Sequence, residues 1–138
     1  MDGEYTITLL NEPAWQVIGG GIRDYNIKQA GEGHEKSFCF ALQTQDGTVV
    51  GGIIGETHWN WLFINLMWIR EELRGRGYGH QLLLAAEAEG RKRGATSAYL
   101  DTFSFQAPDF YQKHGYQVFG VLEDFPPGHK RFYLTKQL

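Results

Sequence analysis

Residues 59–69, Trp-Asn-Trp-Leu-Phe-Ile-Asn-Leu-Met-Trp-Ile, form the most apolar run of the chain, and a glycine-rich turn and an amphipathic stretch follow it directly. The run is too short to span a bilayer, which takes roughly 20 apolar residues, so it reads as a central strand buried on both faces. A second strand-like run follows at 98–103. A strand, helix, strand passage in one sheet requires a right-handed crossover, which makes the two strands parallel neighbours. In the intervening helix Leu82, Leu83, Ala86 and Gly90 recur at helical spacing, while Gln81, Glu87, Arg91 and Lys92 lie elsewhere on the wheel. The helix closes with Arg91-Lys92-Arg93-Gly94, cations at its negative pole and a glycine beyond. That placement accounts for the basic run without a nucleic-acid partner.

The remaining elements fall around this core. Residues 5–10 alternate Thr with aliphatic side chains and read as a first strand, closed by Asn11 and Glu12 before Pro13. From 14 to about 30 the set Trp15, Val17, Ile18, Ile22, Tyr25 and Ile27 has helical spacing, weakened by Gly19-Gly20-Gly21 at ~1 kcal/mol per glycine. Two strands at 37–45 and 48–56 are joined by Asp46-Gly47, a two-residue hairpin signal. Gly51, Gly52 and Gly55 in the second of them mark a bulge or a close backbone approach. A short helix at 108–113 ends at Gly115, and strands at 116–121 and 131–134 flank the turn Pro126-Pro127-Gly128. The expected class is α/β, a mixed sheet with helices on both faces, and 138 residues suit a single domain.

Composition narrows the partners. A formal net charge of -3 does not recruit nucleic acid and favours a cationic small molecule or peptide. The single cysteine, Cys39, excludes an intrachain disulfide and a multi-cysteine zinc site, and fits a reducing compartment. Set between Phe38 and Phe40, it reads as a small core residue on a strand. The N-terminus has no basic region followed by an apolar run, so a cytoplasmic protein with no membrane association is expected. His34, His58, His80, His114 and His129 are scattered without metal-ligand spacing, and no catalytic metal is expected.

The turn itself carries chemistry. Gly75, Gly77 and Gly79 at alternate positions let the backbone approach a ligand, and the first amides of the following helix lack intrahelical partners. Such a turn binds an anion, and Arg74 and Arg76 suit a diphosphate better than a lone carboxylate. A Walker loop needs a Lys followed by Ser or Thr that is missing here, and a dinucleotide fingerprint needs a glycine where His80 stands.

What remains, Arg74-Gly75-Arg76-Gly77-Tyr78-Gly79 after a buried strand and opening a helix, resembles the acetyl-CoA signature of the GNAT superfamily of N-acetyltransferases. Leu66-Met67-Trp68-Ile69 and Leu82-Leu83 resemble its flanks. A second match follows in order, Ala107-Pro108-Asp109-Phe110-Tyr111-Gln112-Lys113-His114-Gly115-Tyr116, where the family has a helix and strand with Ala before Phe-Tyr and Gly-aromatic after. The resemblance covers residues 48–121. It implies a mostly antiparallel mixed sheet in which the two parallel strands, 59–69 and 98–103, splay apart to admit the pantetheine arm.

By the same resemblance, main-chain groups of Met67, Trp68 and Ile69 bond the pantetheine, and amides of Arg74, Gly75, Arg76, Gly77, Tyr78 and Gly79 hold the pyrophosphate. A backbone amide near Ile69 polarises the thioester, and Tyr111 is the acid that protonates departing CoA. Ser104 stands where many members have an asparagine that positions the cofactor. The glutamate that some relatives carry on the central strand is replaced by Phe63, which leaves Glu56, His58, Asp101 or water to take the acceptor's proton. Trp15, Tyr25, Trp59, Trp61 and Phe125 are candidates for an amine pocket, with core or dimer packing as the competing roles. The implied protein is an acetyl-CoA-dependent N-acetyltransferase acting on a primary amine of a small molecule or peptide, by direct attack in a ternary complex and as a homodimer. The competing reading is an acyl-CoA-binding sensor of the same fold without turnover. The identity of the acceptor, and a choice between acetyl-CoA and another acyl-CoA, stay open.

Overall fold

The computed structural model describes residues 3–138, and the chain divides into two compact units, Met1–Gly33 and His34–Leu138. The first contains α1 (Trp15–Ala30), one continuous helix that runs through Gly19-Gly20-Gly21 without a break. It buries none of its residues; Trp15, Val17, Ile18, Ile22 and Tyr25 are all exposed. Residues 5–10 do not form the expected strand. Their alternation gives one apolar side, but a strand exists through backbone pairing, and among the described residues no ladder includes them.

The second unit runs β1 (Lys36–Gln43), β2 (Val49–His58), β3 (Trp61–Ile69), a 3-10 turn (Glu71–Leu73), α2 (Tyr78–Lys92), β4 (Ser97–Phe103), α3 (Pro108–Lys113), β5 (Gln117–Glu123) and β6 (Lys130–Gln137). The strands form one six-stranded sheet in the order β1-β2-β3-β4-β6-β5. Only β3 and β4 pair in parallel, as the crossover through α2 demands. The loop between β1 and β2 is wider than the expected two residues. Gln43 pairs with Val49, and the Asp46 carboxylate gathers the Thr44 and Thr48 hydroxyls and the Thr48 amide, which holds its acidity strong.

Both helices of this unit pack on one face of the sheet. Leu82, Leu83 and Ala86 of α2 and Tyr111 of α3 share a buried cluster with Ile53, Leu62, Ile64, Ala98, Leu100 and Leu134. Gly90 lets α2 settle onto β3: a Cβ there would lie 3.0 Å from Leu62 Cδ2. The central strand is not buried on both sides: Trp61, Leu66 and Trp68, on the face away from α2, are 43%, 62% and 54% exposed. Cys39 is also exposed rather than a core residue. Phe38 and Phe40 take the α2 side of β1, and period-two alternation turns the residue between them outward.

A bulge in β3 sets the rest of the geometry. Ile54 pairs with Leu66 but Gly55 pairs with Ile64, so Asn65 is an extra residue on β3 with no partner on β2. Before it Leu62 and Ile64 face α2; after it Met67 and Ile69 do. The glycines of β2 serve this packing. A Cβ on Gly55 would meet the Phe38 ring at 2.8 Å, and one on Gly51 the Trp68 carbonyl at 2.9 Å.

One charged residue crosses into the core against expectation. Glu87, placed on the polar side of the helix by its spacing, is 1% exposed. Its carboxylate accepts from the Tyr116 hydroxyl at 2.8 Å and from Lys136 Nζ at 2.9 and 3.1 Å, which ties α2 to β6 and to the segment after α3. Burial and the adjacent Glu87 push the Tyr116 phenol far above its ordinary range.

Replacing Lys136 with Met leaves a buried carboxylate uncompensated, and urea unfolding is expected to show a loss of about 3 kcal/mol. Burial also raises the Tyr111 phenol from 10.0 to about 12. Below pH 10 that group is neutral whether folded or unfolded; above it the unfolded chain ionises first. Stability therefore falls as pH rises from 10 towards 12, by about 2–3 kcal/mol for this residue. The difference between the parent and Tyr111→Phe in alkaline urea titrations isolates that contribution.

Candidate active site

The parallel pairing of β3 and β4 runs from Trp61 opposite Ser97 to Ile64 opposite Leu100 and stops there, at the bulge. Beyond that rung β3 continues to Ile69, paired only with β2, and β4 continues to Phe103, paired only with β6. The facing edges of the two strands thus carry backbone donors and acceptors with no strand between them. An extended, amide-bearing chain can enter such a gap and be held by main-chain hydrogen bonds. Met67, Trp68 and Ile69 lie on this open edge of β3.

At the end of β3 the chain turns into α2. Arg74 Nε donates to the Ile69 carbonyl at 2.7 Å, which pins the turn to the strand. Gly75 and Gly77 have φ of 77° and 87°, a left-handed conformation that costs side-chain-bearing residues about 1–2 kcal/mol. The first intrahelical bond of α2 runs from the Gln81 amide to the Gly77 carbonyl, so the amides of Tyr78, Gly79 and His80 precede the hydrogen-bonded helix and point out along its axis. Arg76 is exposed beside them. A Cβ on Gly79 would touch Ile69 and the Phe110 ring at 3.5 Å, so turn, strand and α3 meet here.

A histidine pair, unremarked in the sequence, reinforces that meeting point. His114 Nδ1 donates to the Phe110 carbonyl at 2.8 Å, which leaves its Nε2 to accept from His80 Nδ1 at 2.7 Å. The residues are 34 apart in sequence, so no local pattern could have linked them. Tyr111, on the same helix as Phe110, is 7% exposed and packs edge-on against Phe110 and Tyr116. Ser104 bridges strand ends: its amide donates to the Lys130 carbonyl at 2.8 Å and its hydroxyl accepts from the Lys130 amide at 3.0 Å.

The three candidate proton acceptors separate. Asp101 is taken by Arg131, whose Nη2 and Nε lie 2.6 and 3.0 Å from Oδ1. Glu56 and His58 instead line a cavity of about 230 Å³ on the face away from α2, together with Trp59, Trp61, Phe63 and Tyr99. Of the aromatic candidates, Trp59 and Trp61 come together there. Phe125 stands with Phe103 and Arg131, and Trp15 and Tyr25 belong to the N-terminal unit. Phe63 and Tyr99 join the cavity through register, Phe63 opposite Glu56 on one side and Tyr99 on the other, a relation spacing alone does not reveal. Among the described residues no three His, Cys, Asp or Glu side chains gather as a metal site, and no helix is long and apolar enough to cross a membrane.

Comparisons with known proteins agree with this geometry. The model of the acetyltransferase (GNAT) family matches residues 6–116. The chain is 39% identical over 93 residues to blasticidin-S acetyltransferase of Streptomyces morookaense, covering 67% of this chain and 68% of the relative. It is 34% identical over 120 residues to the acetyltransferase Atu2258 of Agrobacterium fabrum strain C58, covering 84% and 88%. The crystal structure of an acetyltransferase from Bacillus cereus ATCC 14579 superposes with a TM-score of 0.87 at 32% identity, over 96% of this chain and 98% of that one. Parted parallel strands, a glycine turn opening α2 and these relatives lead to one conclusion: the chain belongs to the GNAT family of acetyltransferases.

Proposed function

We propose that this acyltransferase moves the acetyl group of acetyl-CoA to a primary amine by direct attack in a ternary complex. The observation that carries the reading is the gap between β3 and β4, with free main-chain edges along it and the amides of the glycine turn at its mouth. The pantetheine arm lies in the gap on main-chain groups of Met67, Trp68 and Ile69. Amides from Arg74 to Gly79 hold the pyrophosphate. The Arg74 side chain serves the turn rather than the ligand, since its Nε is committed to Ile69. Ser104 acts in the same way, by fixing the end of β4 against β6.

The amine attacks the thioester carbonyl as its neutral form, because an alkylammonium, with a pKa near ~10.4, has no lone pair to offer. Main-chain amide near Ile69 stabilises the developing oxyanion; collapse breaks the carbon–sulfur bond, and Tyr111 gives its phenolic proton to the thiolate. An ordinary phenol is protonated at neutral pH, and burial, which raises this one to about 12, leaves it so; the proton is present when the thiolate forms. The arginine on Asp101 removes that carboxylate from proton transfer, which leaves His58 or water to take the ammonium proton.

Tyr111→Phe is expected to lower kcat by ~10²–10⁴ while the acetyl-CoA Kd stays within about twofold. Steady-state thiol release and calorimetry measure the two, and unchanged turnover would remove Tyr111 from the reaction. Gly77→Ala meets no neighbour within 4 Å but forces a side chain into φ of 87°. Acetyl-CoA affinity is expected to weaken by about tenfold, with circular dichroism unchanged.

A further inference from the structure

The cavity on the face of the sheet away from α2 is built from three kinds of group. Aromatic rings make its walls: Phe63 and Tyr99 stack with centroids 4.7 Å apart, and Trp61 meets Tyr99 edge-on at 6.0 Å. His58 and Trp59 close one end, stacked at 4.1 Å. Trp59 and Asn60 form the turn between β2 and β3 with φ of 48° and 64°, so a bulky side chain is held in a left-handed conformation that few tryptophans adopt. The third kind is the Glu56 carboxylate. Among the described residues it has no side-chain ion pair, whereas Asp101 nearby is neutralised by Arg131 and Glu35 faces His58 at 3.9 Å.

An uncompensated carboxylate among ring faces discriminates sharply between ligands. A neutral apolar group seated there would strip Glu56 of water and return nothing for it. An ammonium or guanidinium returns both a charge-assisted hydrogen bond and attraction to the ring faces. The cavity, at about 230 Å³, holds a charged head group and part of its stem rather than a whole substrate. Its rungs, Glu56 opposite Phe63 and Phe63 beside Tyr99, lie next to the last paired rung before β3 and β4 part. Burial raises the Tyr99 phenol above its ordinary range, and the neighbouring Glu56 and Asp101 carboxylates add to the shift.

We infer that this cavity selects acceptors with a second cationic centre, an ammonium or guanidinium seated against Glu56 beside the rings of Trp61 and Tyr99, while a separate amine of the same molecule reaches the thioester. The inference rests on the acetyl-transfer reading for its second half and on the cavity alone for its first. The seated cation is not the nucleophile: a site that favours the charged form of an amine opposes its attack. The acceptor class is therefore a diamine or aminoalkyl guanidine rather than a simple monoamine.

The test compares α,ω-diamines and aminoalkyl guanidines of four to eight carbons with amino alcohols of the same lengths. Thiol release from acetyl-CoA gives kcat/KM, and calorimetry gives direct binding without turnover. The dications are expected to exceed the amino alcohols at least tenfold at the best chain length. The ratio should fall towards one in Glu56→Gln and in Trp61→Leu, and persist in Trp61→Phe, which keeps a ring. Circular dichroism and the acetyl-CoA Kd confirm that each variant is folded with its donor site intact. Equal kcat/KM for charged and neutral tails in the parent protein would sink the cation site and leave acetyl transfer standing. Failure to bind acetyl-CoA would sink acetyl transfer instead, and calorimetry with the dications then decides the cavity by itself: binding that Glu56→Gln abolishes supports it, and no binding overturns it.

Discussion

A single unpaired residue in the middle of the sheet sets the geometry on which everything else depends. With Asn65 inserted, β3 changes which of its side chains face α2 and bends away from β4 after Ile64. Without it, the alternation of Leu62 and Ile64 would carry Leu66 and Trp68 into the core and turn Met67 and Ile69 outward, and the two parallel strands could stay bonded to their ends. Gly55 and Gly51 make room on the neighbouring strand, where a Cβ would strike Phe38 or the Trp68 carbonyl. The bulge is thus accommodated by the glycines of the neighbouring strand and is not a local defect.

Rigidity around the gap comes from contacts distant in sequence. Arg74 pins the turn to β3, the pair His80 and His114 joins α2 to α3, and Glu87 with Lys136 and Tyr116 fastens α2 to β6. Each bond joins segments that sequence order keeps apart or turns sharply, and together they brace α2 against the sheet and α3. The turn and the helix bearing Tyr111 are consequently held in one frame.

Much of this was legible in the chain because its signals are local. The run at 59–69, the glycines at 75, 77 and 79, and the spacing of Leu82, Leu83 and Ala86 specify a parallel pair and a glycine turn opening a helix, and the structure has both. Signals that depend on pairing were lost. Residues 5–10 look like a strand but have no ladder, and Cys39 looks buried until the register of β1 shows which way it faces. Glu87 reads as solvated because its partner, Lys136, is 49 residues away. The cavity of Glu56, Phe63 and Tyr99 needs three strands in register before it exists at all. Phe63, which marks the absence of a carboxylate on the central strand, turns out to stand directly opposite one on β2.

The edges of the gap between β3 and β4 are main chain, and this has a consequence for how such a protein can diverge. Main-chain groups are the same whatever the residue, so the strands can exchange nearly all their side chains and still present the same donors and acceptors, provided the extra residue and the few glycines stay. The cavity beside the last shared rung is the reverse case, made wholly of side chains and so open to change one substitution at a time. One half of this region is insulated from sequence drift while the other is exposed to it, so that the two can diverge at different rates.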